Sequence, residues 1–176
     1  MKTFIKLLLL ILFLSFNSCS KKDNCDNPVD CLPPATQTGE GTIGCLVNGE
    51  VFKPGGSQFP GPTQQVSYDF VNGAYSFGLS ANNRISNENL RIFIRNQVIK
   101  ENDIYILKTD EENSNVAEYE NKLVSYKTNE INSGEIKFTK FDDINGIVSG
   151  TFWFDAINED GEVVEIREGR FDMKYN

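Results

Sequence analysis

Asn-Gly stands between apolar residues twice, in Val47-Asn48-Gly49-Glu50-Val51 and in Phe70-Val71-Asn72-Gly73-Ala74-Tyr75. Asn and Gly tolerate the two positive-φ positions of a tight hairpin turn, so each stretch predicts a pair of antiparallel strands. The flanking runs alternate with period two. Val66, Tyr68 and Phe70 share one face, and so do Tyr75, Phe77, Leu79 and Ala81. Leu90, Ile92 and Ile94 oppose Arg91 and Arg95. Val148, Gly150, Phe152 and Phe154 oppose Ser149, Thr151, Trp153 and Asp155. Such alternation means one buried and one wet face, as in antiparallel sheets. Ile104-Tyr105-Ile106-Leu107 is apolar on both faces and reads as a more central strand.

In the last run, Val164 and Ile166 are even-numbered, whereas Phe171, Met173 and Tyr175 are odd. One extra residue near Glu168-Gly169 restores the inward face, which predicts a β-bulge there. Asp110–Asn121 lacks a clear pattern and is expected to be a loop or a short helix around Val116–Asn121. The fold expected is all-β: a single antiparallel β-sandwich or β-barrel of eight to ten short strands over residues 43–176.

The other end of the chain constrains location. Met1 to Lys6 is basic, Leu7 to Phe16 is a nearly unbroken apolar run, and Asn17-Ser18 precede Cys19. The run is too short for a spanning helix, which needs roughly 20 residues. It predicts a lipoprotein signal peptide over 1–18, with Cys19 lipidated and first in the mature chain. Residues 19–42, with the double proline Pro33-Pro34, are expected to be a flexible tether. The location expected is the outer membrane, reached through the lipid on Cys19. The charged stretch after Cys19, Ser20-Lys21-Lys22-Asp23-Asn24, resembles an outer-surface export signal.

Composition narrows the function. The chain has 176 residues, enough for one domain, with 13 Phe and 6 Tyr to build a core. Its net charge of −8 becomes −10 when Lys2 and Lys6 leave with the leader, and a phosphate backbone is repelled by that charge. No nucleic-acid partner is expected. With no histidine, a Ser-His-Asp or Cys-His site cannot form. No cofactor or metal is expected. Cys25, Cys31 and Cys45 remain for an oxidising compartment, allowing one disulfide. Cys31–Cys45 is the expected pair, since Cys45 lies in the first strand-like run. The alternative, Cys25–Cys31, closes only a small tether loop.

Leu32-Pro33-Pro34-Ala35-Thr36-Gln37-Thr38-Gly39 followed by Gly44-Cys45-Leu46-Val47-Asn48-Gly49 resembles the opening of an uncharacterised lipoprotein family of Bacteroidota. The ending, Ser149-Gly150-Thr151-Phe152 and Glu168-Gly169-Arg170-Phe171-Asp172, is similar to that family too. The resemblance spans about 31–176. It implies an envelope location and a β-rich domain of unknown function, and brings no active residues.

Trp153 is the single tryptophan and the candidate ligand-binding residue. Alternation puts it on the wet face, where an indole can stack on a sugar or anchor a partner. The competing expectation is that a strand or loop covers that face and Trp153 joins the core. The acidic pairs Asp142-Asp143 and Glu159-Asp160 precede Asn or Gly and are accounted for by turn chemistry. Arg91 and Arg95 are expected on an exposed face. Together these features predict a non-enzymatic envelope module that binds a protein or glycan. The alternative is a calycin-like barrel holding a small apolar ligand against the small-residue face Ala74, Ser76, Gly78 and Ser80.

Overall fold

The computed structural model describes residues 25–109 and 114–175, so the leader and Cys19 lie outside the described residues. After a 3-10 turn at Pro28–Cys31 come eleven strands: β1 Thr42–Val47, β2 Glu50–Phe52, β3 Gln64–Val71, β4 Ala74–Asn83, β5 Glu88–Ile94, β6 Ile104–Leu107, β7 Val116–Asn121, β8 Val124–Lys127, β9 Gly134–Asp142, β10 Ile147–Ile157 and β11 Val163–Lys174. They form one antiparallel sheet in the order β2-β1-β11-β10-β8-β7-β5-β4-β3. Strand β10 divides one edge between two partners. Ile147 to Phe154 pair with β9, which carries β6, and Ile157 pairs with Lys127 of β8. The sheet curls into a half-barrel, and Gln64 of β3 reaches across to the Gly41 carbonyl that leads into β1.

The inward face follows the alternation. Phe77, Leu79 and Ala81 of β4, Leu90, Ile92 and Ile94 of β5, and Val148, Phe152 and Phe154 of β10 are all buried. Phe138 sits at the centre, with ring centroids 4.9 Å from Phe77 and 5.5 Å from Tyr105, both edge-on. Each such buried ring contributes about 1.5–3 kcal/mol, and an edge-on pair adds about 0.5–1.5 kcal/mol. Large side chains thus fill the concave face. The small face Ala74, Ser76, Gly78 and Ser80 turns the other way and is half-buried.

Both Asn-Gly turns form with positive φ at Asn48, Gly49, Asn72 and Gly73. The bulge falls where the parity slip puts it. Phe152 pairs with Gly169 but Phe154 with Ile166, and Gly44 pairs with Arg170 but Leu46 with Arg167. Against both neighbours β11 uses one residue more, and Glu168 takes φ 54°.

Ile104–Leu107 is not a central strand: among the described residues β6 pairs with β9 alone, and Ile104 and Ile106 are exposed. Three further expectations are corrected. Val116–Asn121 is a strand in full register with β5, not a loop or helix. Glu118 and Glu120 are poor strand formers in isolation. Here they pair across the sheet with Arg91 at 3.5 and 3.8 Å, and Glu118 also meets Lys127 at 2.9 Å.

The disulfide joins Cys25 and Cys31, not Cys31 and Cys45. The 3-10 turn at Pro28–Cys31, capped by Asn27, folds the short segment back on itself and brings the two cysteines together. Cys45 is wholly buried on the inner face as a free thiol, where burial and the nearby Glu88 carboxylate push its pKa upward. A buried protonated thiol is a poor nucleophile. A maleimide is therefore expected to leave Cys45 unlabelled in the native protein and to label it in denaturant, read by peptide mass mapping.

The third correction concerns the tether. Residues 36–40 are strapped to the barrel by Asp172, which is fully buried. One carboxylate oxygen accepts hydrogen bonds from Thr36 Oγ1 at 2.7 Å, the Thr38 amide at 3.0 Å and the Glu40 amide at 3.2 Å. The other accepts from the Gly39 amide at 2.8 Å and Ser149 Oγ at 2.7 Å. Burial alone would raise this carboxyl's pKa. The donors, Ser149 and Thr36 first, outweigh that and hold it well below the usual carboxylate range.

Candidate functional site

On the outer face of β9, β10 and β11 the register sets two rows of side chains. Ile104 of β6, Lys137 of β9, Thr151 of β10 and Arg170 of β11 form one row. Ile106, Glu135 and Trp153 form the next. Neighbouring strands lie about 4.8 Å apart, so Lys137 and Arg170 flank Thr151 on either side, and Trp153 stands about 7 Å further along β10. The row through Trp153 is not continued by a single β11 residue. The bulge sets Arg167 and Glu168 there instead and bends the strand. A groove of about 610 Å³, open to solvent, results, and Ala35, just before the strapped segment, also lines it.

The electrostatics come from paired and unpaired charges. Arg167 is held from several directions: Nη1 donates to the carbonyls of Phe154 at 3.2 Å and Ile166 at 3.0 Å, and Nη2 meets Asp155 at 2.7 Å. Its guanidinium lies 5.6 Å from the centre of the Trp153 ring, a cation–π contact that fixes the indole. Arg170 meets Glu168 at 3.2 Å. Glu168 is half exposed, whereas the Arg170 side chain is 18% exposed and its Nε also donates to the Glu168 carbonyl at 3.2 Å, so a bound anion reaches Arg170 by displacing the solvent-facing carboxylate. Lys137 is exposed and makes no ion pair with a described residue. Three cations and two carboxylates, Glu135 and Glu168, therefore line a groove on an otherwise acidic protein.

Trp153 is 38% exposed, on the wet face as alternation predicts, and no strand or loop covers it among the described residues. The groove offers an aromatic surface, a hydroxyl and charged hydrogen-bond donors. Among the described residues no three His, Cys, Asp or Glu side chains gather as metal ligands would. Asp142 accepts from the Ile144 and Asn145 amides at 3.2 and 3.0 Å, the turn role expected of it. Arg91 is occupied in the ion pairs with β7, and Arg95 lies 5.8 Å above Phe93.

A second feature was not legible in the alternation. Tyr68 and Phe70 of β3, Tyr75 of β4, Phe141 of β9 and Tyr175 continue the inward face beyond the end of the core. Tyr68 stacks on Tyr75 at 4.9 Å and meets Phe141 edge-on at 5.0 Å, and Phe141 stacks on Tyr175 at 5.6 Å. Phe70 is 63% exposed. These rings form an aromatic mouth at one end of the half-barrel. Period two assigns residues to a face, but it does not say where along the strand the opposing layer stops. Partial burial, and then the carboxylate of Asp143, push the Tyr175 hydroxyl's pKa upward.

Over residues 71–173, from the end of β3 through β11, the chain matches a family described as a domain of unknown function, DUF6252. No curated protein and no solved structure matches it.

Proposed function

Since the chain belongs to the DUF6252 family, a domain of unknown function, its activity must be read from its own residues, and we propose a lipid-anchored envelope module that binds a ligand without transforming it. The anchor rests on the basic start, the ten-residue apolar run and Ser18-Cys19, as in the Bacteroidota lipoproteins that this leader and the terminal motifs resemble. Cys19 carries the lipid, and the domain is held at the outer membrane facing envelope glycans or proteins. The observation that carries the binding role is the groove around Trp153. A half-exposed indole fixed by Arg167 and ringed by Thr151, Lys137, Glu135 and Arg170 has the make-up of a recognition surface. The missing histidine, which removes the usual general base and nucleophile activator, supports a non-enzymatic role.

The aromatic mouth favours a second reading, a small apolar ligand held at the end of the half-barrel by Tyr68, Tyr75 and Phe141. The filled concave face leaves such a ligand the mouth rather than the interior.

Two substitutions test the leading reading. Cys19→Ala is expected to abolish labelling by an alkynyl palmitate and to release the protein from membranes; persistent labelling contradicts the anchor. Trp153→Ala is expected to leave the fold intact and to lower retention on immobilised envelope polysaccharide or protein about tenfold or more. Unchanged retention contradicts the groove.

A further inference from the structure

We propose that the groove takes an acidic glycan, with a pyranose ring against Trp153 and its carboxylate or sulfate between Lys137 and Arg170. The inference rests on the groove being the ligand face, and it selects among ligands by charge. The register places a cation on each side of Thr151, and Thr151 itself presents a hydroxyl at the floor. Two strand spacings separate Lys137 from Arg170, about 9–10 Å at their backbones, and both side chains are long enough to reach inward over one sugar ring. Trp153, two residues along β10, supplies the apolar surface that the C–H face of a sugar requires. Glu135 lies beside Trp153 and accepts hydrogen bonds from sugar hydroxyls at a distance from the anionic group.

Charge separates this ligand from a neutral one. The protein carries −8 overall, so an acidic polymer is repelled by most of its surface and gains only where cations predominate. Lys137 has no carboxylate among the described residues to give up, and Arg170 has only the exposed Glu168. A neutral glycan leaves both cations without a new partner.

Trp153 is the only tryptophan, so its emission reports on this groove and on no other site. The test titrates the full-length chain in uncharged detergent with polygalacturonate, dextran sulfate and neutral dextran of matched length. The expected result is a change in emission with at least one acidic polymer at an affinity at least about tenfold above that for dextran, lost as salt is raised. Lys137→Ala should weaken the acidic polymer about tenfold and leave dextran unchanged. Equal affinity for dextran, or an unchanged affinity in Lys137→Ala, overturns the acidic-glycan assignment while leaving the groove as a ligand face. No response to any of the three polymers also overturns it, and retention of Trp153→Ala on envelope material then decides the broader reading separately. A response to only one acidic polymer supports the proposal and identifies the anionic group.

Discussion

Asp172→Asn is expected to destabilise the domain by roughly 3–5 kcal/mol and to free residues 36–40 from the barrel. Both oxygens of this carboxylate only accept hydrogen bonds, six in all with the long one from Thr38 Oγ1 at 3.5 Å. An amide in its place turns an N–H₂ either toward Ser149 and Gly39 or toward Thr36, Thr38 and Glu40. Donor then faces donor in a site that excludes water. The same carboxylate sets a pH dependence. Its folded pKa lies below the unfolded value of about 3.9, so the unfolded chain takes up the proton first as pH falls. Its stabilisation is therefore complete well above about pH 4 and is lost progressively below it. Urea midpoints at pH 7 and pH 3 check both points. The wild type should lose more stability on acidification than Asp172→Asn, and equal losses would contradict the role given to Asp172.

Gly169→Ala is expected to cost about 3 kcal/mol or more, a fall in melting temperature of roughly 6–12 °C for a domain of this size. A Cβ at this position meets the Phe152 ring at 2.4 Å and the Phe152 carbonyl oxygen at 2.5 Å. The ring could turn, but the carbonyl belongs to the β10 backbone and cannot yield without breaking the pairing. The neighbouring Glu168 gives the opposite expectation. It holds φ 54°, a conformation that disfavours a side chain, and its carboxylate is exposed. Glu168→Gly should therefore change stability by less than about 1 kcal/mol. If thermal melts rank the two substitutions the other way, the bulge is not held by this close contact.

These two sites show what a single sequence can disclose. The parity slip between Ile166 and Phe171 located the bulge, because a strand that must keep one face buried has to insert a residue to do so. The Asn-Gly hairpins were equally open to reading. The β7–β8 hairpin was not, because its turn is made by Lys122 and Leu123 at φ 48° and 80°, residue types that carry no turn signal. Strand β7 was hidden by its glutamates, whose partners Arg91 and Lys127 come from other strands. Cysteine pairing depended on the local fold of residues 25–31, which spacing does not determine.

The strap was hidden differently. Thr36, Thr38 and Gly39 belong to the opening run and Asp172 to the ending run of the motifs quoted from the sequence, yet only the three-dimensional structure brings them into contact. At the groove, alternation puts Trp153 opposite Phe152 and Phe154 but does not say whether a further layer covers that face, and the structure leaves Trp153 38% exposed. Its companions Lys137, Arg167 and Arg170 required the register of β9 and β11, and Arg167 reaches the indole only through the bulge.

Mapping amide shifts shows whether the outer face of β9, β10 and β11 is the ligand face. The full-length chain in uncharged detergent would be titrated with polysaccharide prepared from the cell envelope. Shifts are expected to concentrate at Lys137, Thr151, Trp153 and residues 167–170. Shifts concentrated at Tyr68, Phe70, Tyr75 and Phe141, with the groove silent, would contradict the groove as the ligand face and assign binding to the aromatic mouth.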